Sequence, residues 1–571
     1  RFDLASICLI NSIFAIIYTL LGQILRRTVY RRIMLAALFI GPNALMIVLS
    51  MGDIGYYGVH SKRISWHLTS IWADVAKEAG PSFAEYWHLW GIAAFFSIAL
   101  CKVYHTLEWR KKDERPTTKT QGIMFLAVVL TMGIAIRGGL QTKPLNLAHA
   151  YKNSNPRYGQ LTLNAPITLI KTKNSEKLAK LTFFPNWQSL KAEISQPKSY
   201  NTKNNITKPN FVIIILESMS KEYMGNSLRP EGYAPFLKQL AKKSLDYEFS
   251  FANGQRSIET MMTIFGGLPN LMRKPLITSV YNDTKLRGLP KILADFGYDN
   301  CFFHGGREGT MFFDSQAKML GFQCSKWSHN FPKARNNDGT WGIFDGPFLQ
   351  YFAKETSKLK EPFISGVFTL SSHSPYEIPK NISKKFPKGT LPIHEAIGYT
   401  DHALQNFFKT AKQTSWFENT IFVITGDHTS LSNAPEYQNP IGRFRVPIIW
   451  YSPKYPLNFA STKYRVTQHI DITPTILSLL GKNHIPHARF GRSLTAGDHG
   501  RALLREGNSY YFVGRESLIL AQLPNTFLKI KWPIDPNFQL PEPAPNIPDT
   551  RQFKAQIQYY NNGIIENRLN F

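Results

Sequence analysis

The stretch NFVIIILES, Asn210–Ser218, decides the fold class. Six consecutive apolar residues, Phe211–Leu216, end at a carboxylate and a hydroxyl, Glu217 and Ser218. A strand with one wet face alternates apolar and polar residues. An unbroken run rich in β-branched residues suits a strand buried on both faces. The pattern repeats downstream. Asn300–Phe303, Pro362–Leu370, Thr420–Thr425 and Val446–Tyr451 are strand candidates. Pro235–Lys243, Leu289–Phe296, Ala403–Gln413 and Ile472–Leu480 read as helices, the last ended by Gly481. This alternation predicts an α/β domain whose sheet is covered on both sides. In the tail, Tyr510–Val513 and Leu518–Leu523 predict a hairpin.

Upstream the composition changes. Leu4–Leu25 and Ile33–Gly52 carry no charge, and Tyr86–Cys101 and Thr120–Ile136 are shorter apolar runs. A bilayer core takes about 20 apolar residues, so four membrane helices are expected, at about 4–25, 33–52, 86–106 and 120–138. The loop after the first carries Arg26, Arg27, Arg31 and Arg32. The loop after the third carries Arg110, Lys111, Lys112, Arg115 and Lys119. The loop between, about 53–85, mixes Lys62, Arg63 and Lys77 with Asp53, Asp74, Glu78 and Glu85. The positive-inside rule makes the two basic loops cytoplasmic and everything after residue 140 external. A fifth helix upstream of Arg1 would return the N-terminus to the cytoplasm, with a cleaved signal peptide as the alternative. The expected organisation is a transmembrane domain over 1–140, a connector over 141–208 whose Leu161–Ile170 packs on the outer domain, a catalytic domain over 209–495 and a β subdomain with tail over 496–571.

The chain has 571 residues and a net charge of +28, with 67 Lys+Arg against 39 Asp+Glu. The hydrophobic fraction of 43% excludes a disordered chain. Four cysteines and no CxxC exclude a disulfide scaffold and a cysteine zinc site. Cys8 and Cys101 fall in membrane segments, whereas Cys301 and Cys324 lie outside, where a bridge is chemically allowed and left open. A nucleic-acid role is excluded, because no such motif is present and the larger positive half faces away from the cytoplasm.

Polar clusters stand where the buried strands end: Glu217-Ser218, Gly254–Thr260, Phe303–Gly306, Ser371–Pro375 and Gly426–His428. In open α/β sheets ligands gather at the carboxyl ends of strands, and carboxylates and imidazoles from several strands converge there on a divalent ion. The ordered set resembles the alkaline phosphatase and sulfatase superfamily, and more narrowly the lipoteichoic acid synthases and related membrane phosphoglycerol transferases. The matching segments are LES (Leu216–Ser218), RSIE (Arg256–Glu259), FHGG (Phe303–Gly306), SSHSPY (Ser371–Tyr376), YTDHAL (Tyr399–Leu404), GDHT (Gly426–Thr429), RVPIIWY (Arg445–Tyr451) and QHIDITPTIL (Gln468–Leu477). The resemblance implies an N-terminal transmembrane bundle joined to an α/β/α catalytic sandwich with a small C-terminal antiparallel β subdomain.

Carried over by position, it implies Glu217, Asp427 and His428 as metal ligands. Ser257 becomes the nucleophile and a further ligand, where the family commonly has Thr; Thr260 is the rival hydroxyl. His304 and His373 become head-group contacts, with His373 able to protonate a leaving alkoxide. Arg256, Asp314 and Trp341 are candidate substrate-binding residues, with Arg307 also near. The family's acidic residue two positions after the first His is replaced here by Gly306, and its following Trp and Arg fall near Met311 and Phe313. His402 is a weaker candidate. His469 matches a second-zinc position in phosphoethanolamine transferases and leaves a second metal open.

The implied cofactor is one divalent ion, manganese first, with magnesium or zinc as alternatives. The implied reaction moves a glycerol-phosphate head group from phosphatidylglycerol to a glycan or polyglycerol-phosphate acceptor, at a bacterial cell membrane, with the catalytic domain outside. The alternatives are a phosphoethanolamine transferase, a sulfuric or phosphoric ester hydrolase, or a catalytically silent membrane receptor. Ser257–Met261 lacks the Pro and Arg that formylglycine chemistry requires.

Overall fold

A computed structural model describes residues 2–24, 29–60, 63–64, 66, 86–109, 118–141, 144–151, 159–173, 176–194, 206–332, 336–457, 459 and 463–570. The chain divides into two compact units. One comprises 1–177 with 277–283, the other 178–276 with 284–571. Most of the loop charges used for orientation fall outside the described residues: Arg26, Arg27, Lys62, Asp74, Lys77, Glu78, Glu85, Arg110, Lys111, Lys112 and Arg115.

In the first unit the apolar runs form helices Phe2–Ile24, Val29–His60, Trp87–Trp109 and Thr118–Arg137. They turn large apolar side chains outward: Leu4, Ile33, Phe95 and Ile123 are each more than half exposed. Two stretches, Arg32–Gly58 and Trp87–Thr106, are long and apolar enough to cross a membrane; Phe2–Tyr18 and Gly122–Arg137 are shorter. One polar pair joins the first two helices, and another holds the chain just after the second. Asn11 and Asn43 exchange amide hydrogen bonds of 3.2 and 2.9 Å, and buried Asp53 pairs with Arg63 at 2.8 Å.

Residues 161–170 belong to this unit. Asn164 caps the helix Ala165–Thr172, accepts from Ser6 Oγ at 2.6 Å and donates to Asp3 Oδ1 at 2.8 Å. Its short apolar helix finds polar partners among the N-terminal helices, which the sequence pattern alone does not specify.

The second unit is built on seven strands. They are β1 (Asn210–Leu216), β2 (Leu245–Asp246), β4 (Asp299–His304), β5 (Cys324–Lys326), β6 (Phe363–Phe368), β7 (Thr420–Gly426) and β8 (Ile448–Tyr451), in the order β2-β8-β7-β1-β6-β4-β5. The five from β7 to β5 run parallel; β8 is antiparallel to β7, and β2 to β8. The short β3 (Ser250–Phe251) pairs with β9 (Thr467–Gln468) beside them. All seven residues of β1 are buried. Phe211, Ile213 and Ile215 join one core with Phe265 and Ile476. Val212, Ile214 and Leu216 join the other with Leu349, Leu404 and Phe407. The two-residue period thus serves two cores at once, which is why no polar residue interrupts the run. Cys301 and Cys324 are bonded, joining β4 to the three-residue edge strand β5.

The tail forms a five-stranded antiparallel sheet: β10 (Ala502–Glu506), β11 (Ser509–Val513), β12 (Leu518–Gln522), β13 (Thr526–Ile530) and β14 (Glu542–Pro543). A helix the sequence reading did not anticipate, Pro548–Ile565, follows. It holds the second half of the connector: Leu181 N–H donates to Asn562 at 2.9 Å and Phe184 N–H to Gln558 at 2.8 Å. The Asn562 and Gln558 side chains are spent on that backbone.

Candidate metal and catalytic site

Strand register assembles the site. Leu216 pairs with Gly426 at the ends of β1 and β7, so Glu217 and Asp427 leave the sheet side by side. On the other flank of β1, Ile215 pairs with Phe368, which in turn pairs with His304. Carboxylates and imidazoles at the ends of three strands, β1, β7 and β4, therefore face one edge of the sheet. Gly426 is required by a close approach: a Cβ there would lie 2.0 Å from the Met219 carbonyl. Ser218 takes a left-handed conformation (φ +53°) that turns the chain back. Its N–H donates to Asp427 Oδ1 at 2.7 Å and its hydroxyl to Glu217 Oε1 at 2.9 Å.

Glu217, Asp427 and His428 each offer a ligand atom within 4.8 Å of the others. Ser257, the first residue of helix Ser257–Ile264, places its Oγ 3.0 Å from Glu217 Oε2 and 3.2 Å from His428 Nε2. His428 Nδ1 donates to Thr429 O at 2.7 Å, which leaves Nε2 as the ring atom facing the cluster. Burial, then the charge of Glu217, pushes the Asp427 carboxyl up to about 8. For His428 burial works downward, but Asp427 and Glu217 outweigh it and raise the ring. Asp427 Oδ2 is buried and makes no hydrogen bond among the described residues. That oxygen lies 3.2 Å from His428 Nε2; two crowded carboxylates and an inward imidazole nitrogen form a donor set suited to a divalent cation.

The other sequence candidates fall in distinct places. His304 is buried beside this cluster; its Nδ1 donates to Phe368 O at 2.9 Å. Burial lowers its pKa to about 4, so the neutral ring offers Nε2 as an acceptor at pH 7. A Cβ on Gly306 would lie 2.5 Å from that Nε2, so the family's acidic residue cannot stand there with the ring in this position. His373 is half-buried against Trp341, with ring centroids 4.0 Å apart and planes tilted by 53°, and Trp341 Nε1 donates to Ser374 O at 2.7 Å. Arg256 is half-exposed, with its guanidinium bonded to Glu259 and to Arg273 O. Asp314 is buried in the first turn of helix Phe313–Leu320, whose Gln316 donates to Ile258 O next to Ser257.

Thr260 turns its hydroxyl to the Asp427 carbonyl at 3.4 Å rather than to the ligand atoms. His469 lies beneath the cluster with Nε2 bonded to Gly426 O at 2.8 Å, and burial lowers it to about 3. It is not among the grouped ligands of the described residues. His402 faces Asn406 on the helix Ile393–Ala411 at 3.1 Å. Sequence reasoning placed Ser372 in a polar cluster without a role and left Thr369 inside a strand; both grip Glu217, whose N–H donates to Thr369 Oγ1 at 2.9 Å and whose carbonyl accepts from Ser372 Oγ at 2.5 Å. Their position directly after β6 was the available signal.

Residues 209–482 match the Sulfatase family. Lipoteichoic acid synthase-like YvgJ of Bacillus subtilis (strain 168) is 23% identical over 523 residues, covering 86% of this chain and 82% of that protein. Lipoteichoic acid synthase of Staphylococcus aureus (strain USA300) is 22% identical over 504 residues, covering 82% and 76%. Two solved structures share the fold with a TM-score of 0.56, each over 67% of this chain. One is a protein in the alkaline phosphatase superfamily from Vibrio parahaemolyticus, 22% identical over 96% of its chain. The other is the lipoteichoic acid synthase LtaP from Listeria monocytogenes, 18% identical over 98% of its chain. Residues 209–482 thus match the Sulfatase family and share the alkaline phosphatase-like fold, and these relatives support a phosphotransferase of the sulfatase-like superfamily.

Proposed function

We propose, from a sulfatase-like domain joined to outward-facing apolar helices, that this chain is a membrane-anchored, metal-dependent phosphoglycerol transferase. It moves a glycerol-phosphate head group from phosphatidylglycerol to the hydroxyl of a polyglycerol-phosphate or glycan acceptor. The observation that carries the reading is the Ser257 hydroxyl 3.0 Å from Glu217 and 3.2 Å from His428, at the start of a helix. A helix N-terminus favours the charge of an incoming phosphodiester. The names of the relatives support the donor and acceptor classes.

Glu217, Asp427, His428 and the Ser257 hydroxyl hold one divalent ion, manganese first. When bound, it lowers the pKa of the hydroxyl and neutralises phosphoryl charge. Ser257 Oγ attacks phosphorus, passes its proton to the adjacent Glu217 carboxylate and forms a phosphodiester to the enzyme. The bond to diacylglycerol breaks, and His373 gives a proton to the leaving alkoxide. An acceptor hydroxyl gives its proton to His373 and attacks the same phosphorus; the bond to Ser257 Oγ breaks, and Oγ takes back the proton held by Glu217. Neutral His304 accepts from a glycerol hydroxyl through Nε2. Arg256, Asp314 and Trp341 complete the substrate pocket.

In this reading the basic loops stay in the cytoplasm and the catalytic half lies outside. The Cys301–Cys324 bridge supports that side, since such bonds persist in oxidising compartments.

Detergent-purified protein incubated with manganese and head-group-labelled phosphatidylglycerol is expected to release diacylglycerol and retain label. Ser257→Ala is expected to lose release by at least 1000-fold. Equal release from both proteins removes Ser257 as nucleophile. Faster release from labelled phosphatidylethanolamine reassigns the donor.

A further inference from the structure

Asp345 opens the helix Asp345–Thr356 and is 2% exposed. Its carboxylate takes the backbone N–H of Leu370 at 2.8 Å and of Ser371 at 3.2 Å, and the Thr400 hydroxyl at 2.8 Å. Its own N–H donates to Ser371 Oγ at 2.9 Å. These bonds act on residues that follow β6. The same loop supplies Thr369 and Ser372 to the two peptide groups of Glu217, and His373 N–H donates to Leu370 O at 3.0 Å. One carboxylate thus sits behind the loop whose front grips a candidate ligand and begins the turn of the candidate acid.

We propose that Asp345 is a positioning residue for the reaction proposed above: by fixing Leu370 and Ser371 it sets the backbone that holds Glu217 and aims His373. It touches neither substrate nor ligand. Two adjacent N–H groups need a forked acceptor, and only a carboxylate offers two oxygens without a donor between them. Burial without a cation pushes this carboxyl up to about 6. Capping the helix does not require the fork, because the cap bond to Ser371 Oγ comes from Asp345 N–H, which any residue supplies.

The test is Asp345→Asn in the full-length protein. It keeps the volume and one acceptor but turns a donor toward Ser371 N–H. The expected result is kcat down at least tenfold on labelled phosphatidylglycerol, KM within twofold, and manganese affinity by calorimetry weakened at least fivefold. A lowered unfolding midpoint with unchanged kcat and manganese affinity makes Asp345 a helix cap only and overturns the proposal. If that variant does not fold, Thr400→Val, which removes one distant donor to the same carboxylate, is expected to lower kcat two- to fivefold at unchanged KM. No change in kcat there also overturns it. Wild type inactive on every lipid defeats the transferase reading alone; the manganese comparison between wild type and variant then decides Asp345.

Discussion

At the residue scale, the site shows which identities were legible and which were not. Glu217, Asp427 and His428 follow buried strands, which marked them as candidates; Ser257 was singled out by the family resemblance, and the helix it begins emerged only in the structure. Gly306 was read only as a departure from the family; the distance from its site to His304 Nε2 supplies the steric reason. Glu222 could not be read at all. It is 2% exposed, accepts from Ser432 Oγ at 2.6 Å, and burial pushes its carboxyl from 4.5 up to about 7, against that bond. For an acid whose folded pKa is raised, the stabilising share is full below about 4.5 and is lost as pH rises through about 7. Glu222→Gln, always neutral, is therefore expected to raise the unfolding midpoint at pH 8 by roughly 2–4 °C. At pH 4.5 it is expected to leave the midpoint unchanged. Calorimetry at the two pH values checks this.

At the element scale, strand type was readable because β1 and β7 serve two cores, which forces unbroken apolar runs. The pairing order was not. No residue in β1 announces β6 and β7 as neighbours, since parallel pairing is set by helices and connections distant in sequence. Register then decides the site through Leu216 opposite Gly426. Gly426→Ala puts a Cβ against the Met219 carbonyl, a backbone atom that cannot swing aside. It is expected to destabilise by about 1–3 kcal/mol and to cut transfer at least tenfold by displacing Asp427. Urea unfolding and lipid turnover measure the two effects. The helix Pro548–Ile565 was not read although Phe553, Ile557, Tyr560 and Ile564 recur at helical spacing and are buried; Gln558 and Asn562 break that apolar face and bond to distant backbone.

At the scale of the molecule, charge acquires a different meaning from the one composition first suggests. Residues 1–150 hold 16 Lys+Arg against 8 Asp+Glu, and the rest hold 51 against 31. The larger surplus lies in the catalytic half, which in the proposed topology works beside a leaflet of phosphate head groups. Raising salt from 0.1 to 1 M shortens screening from about 10 Å to about 3 Å. The kcat/KM on anionic mixed micelles is expected to fall severalfold across that range, and a salt-independent value counts against the attraction. By itself the sequence determined the division into apolar helices and an α/β domain, because burial dictates hydrophobic pattern locally. It also marked the strand-end carboxylates, hydroxyls and imidazoles as candidates. Only the tertiary structure decided which of them meet: it joined Glu217, Ser257, Asp427 and His428, set Thr260 and His469 to backbone carbonyls, and put Asp345 behind the loop that grips Glu217. Those choices rest on register and on distances between segments far apart in the chain, and no local pattern encodes either.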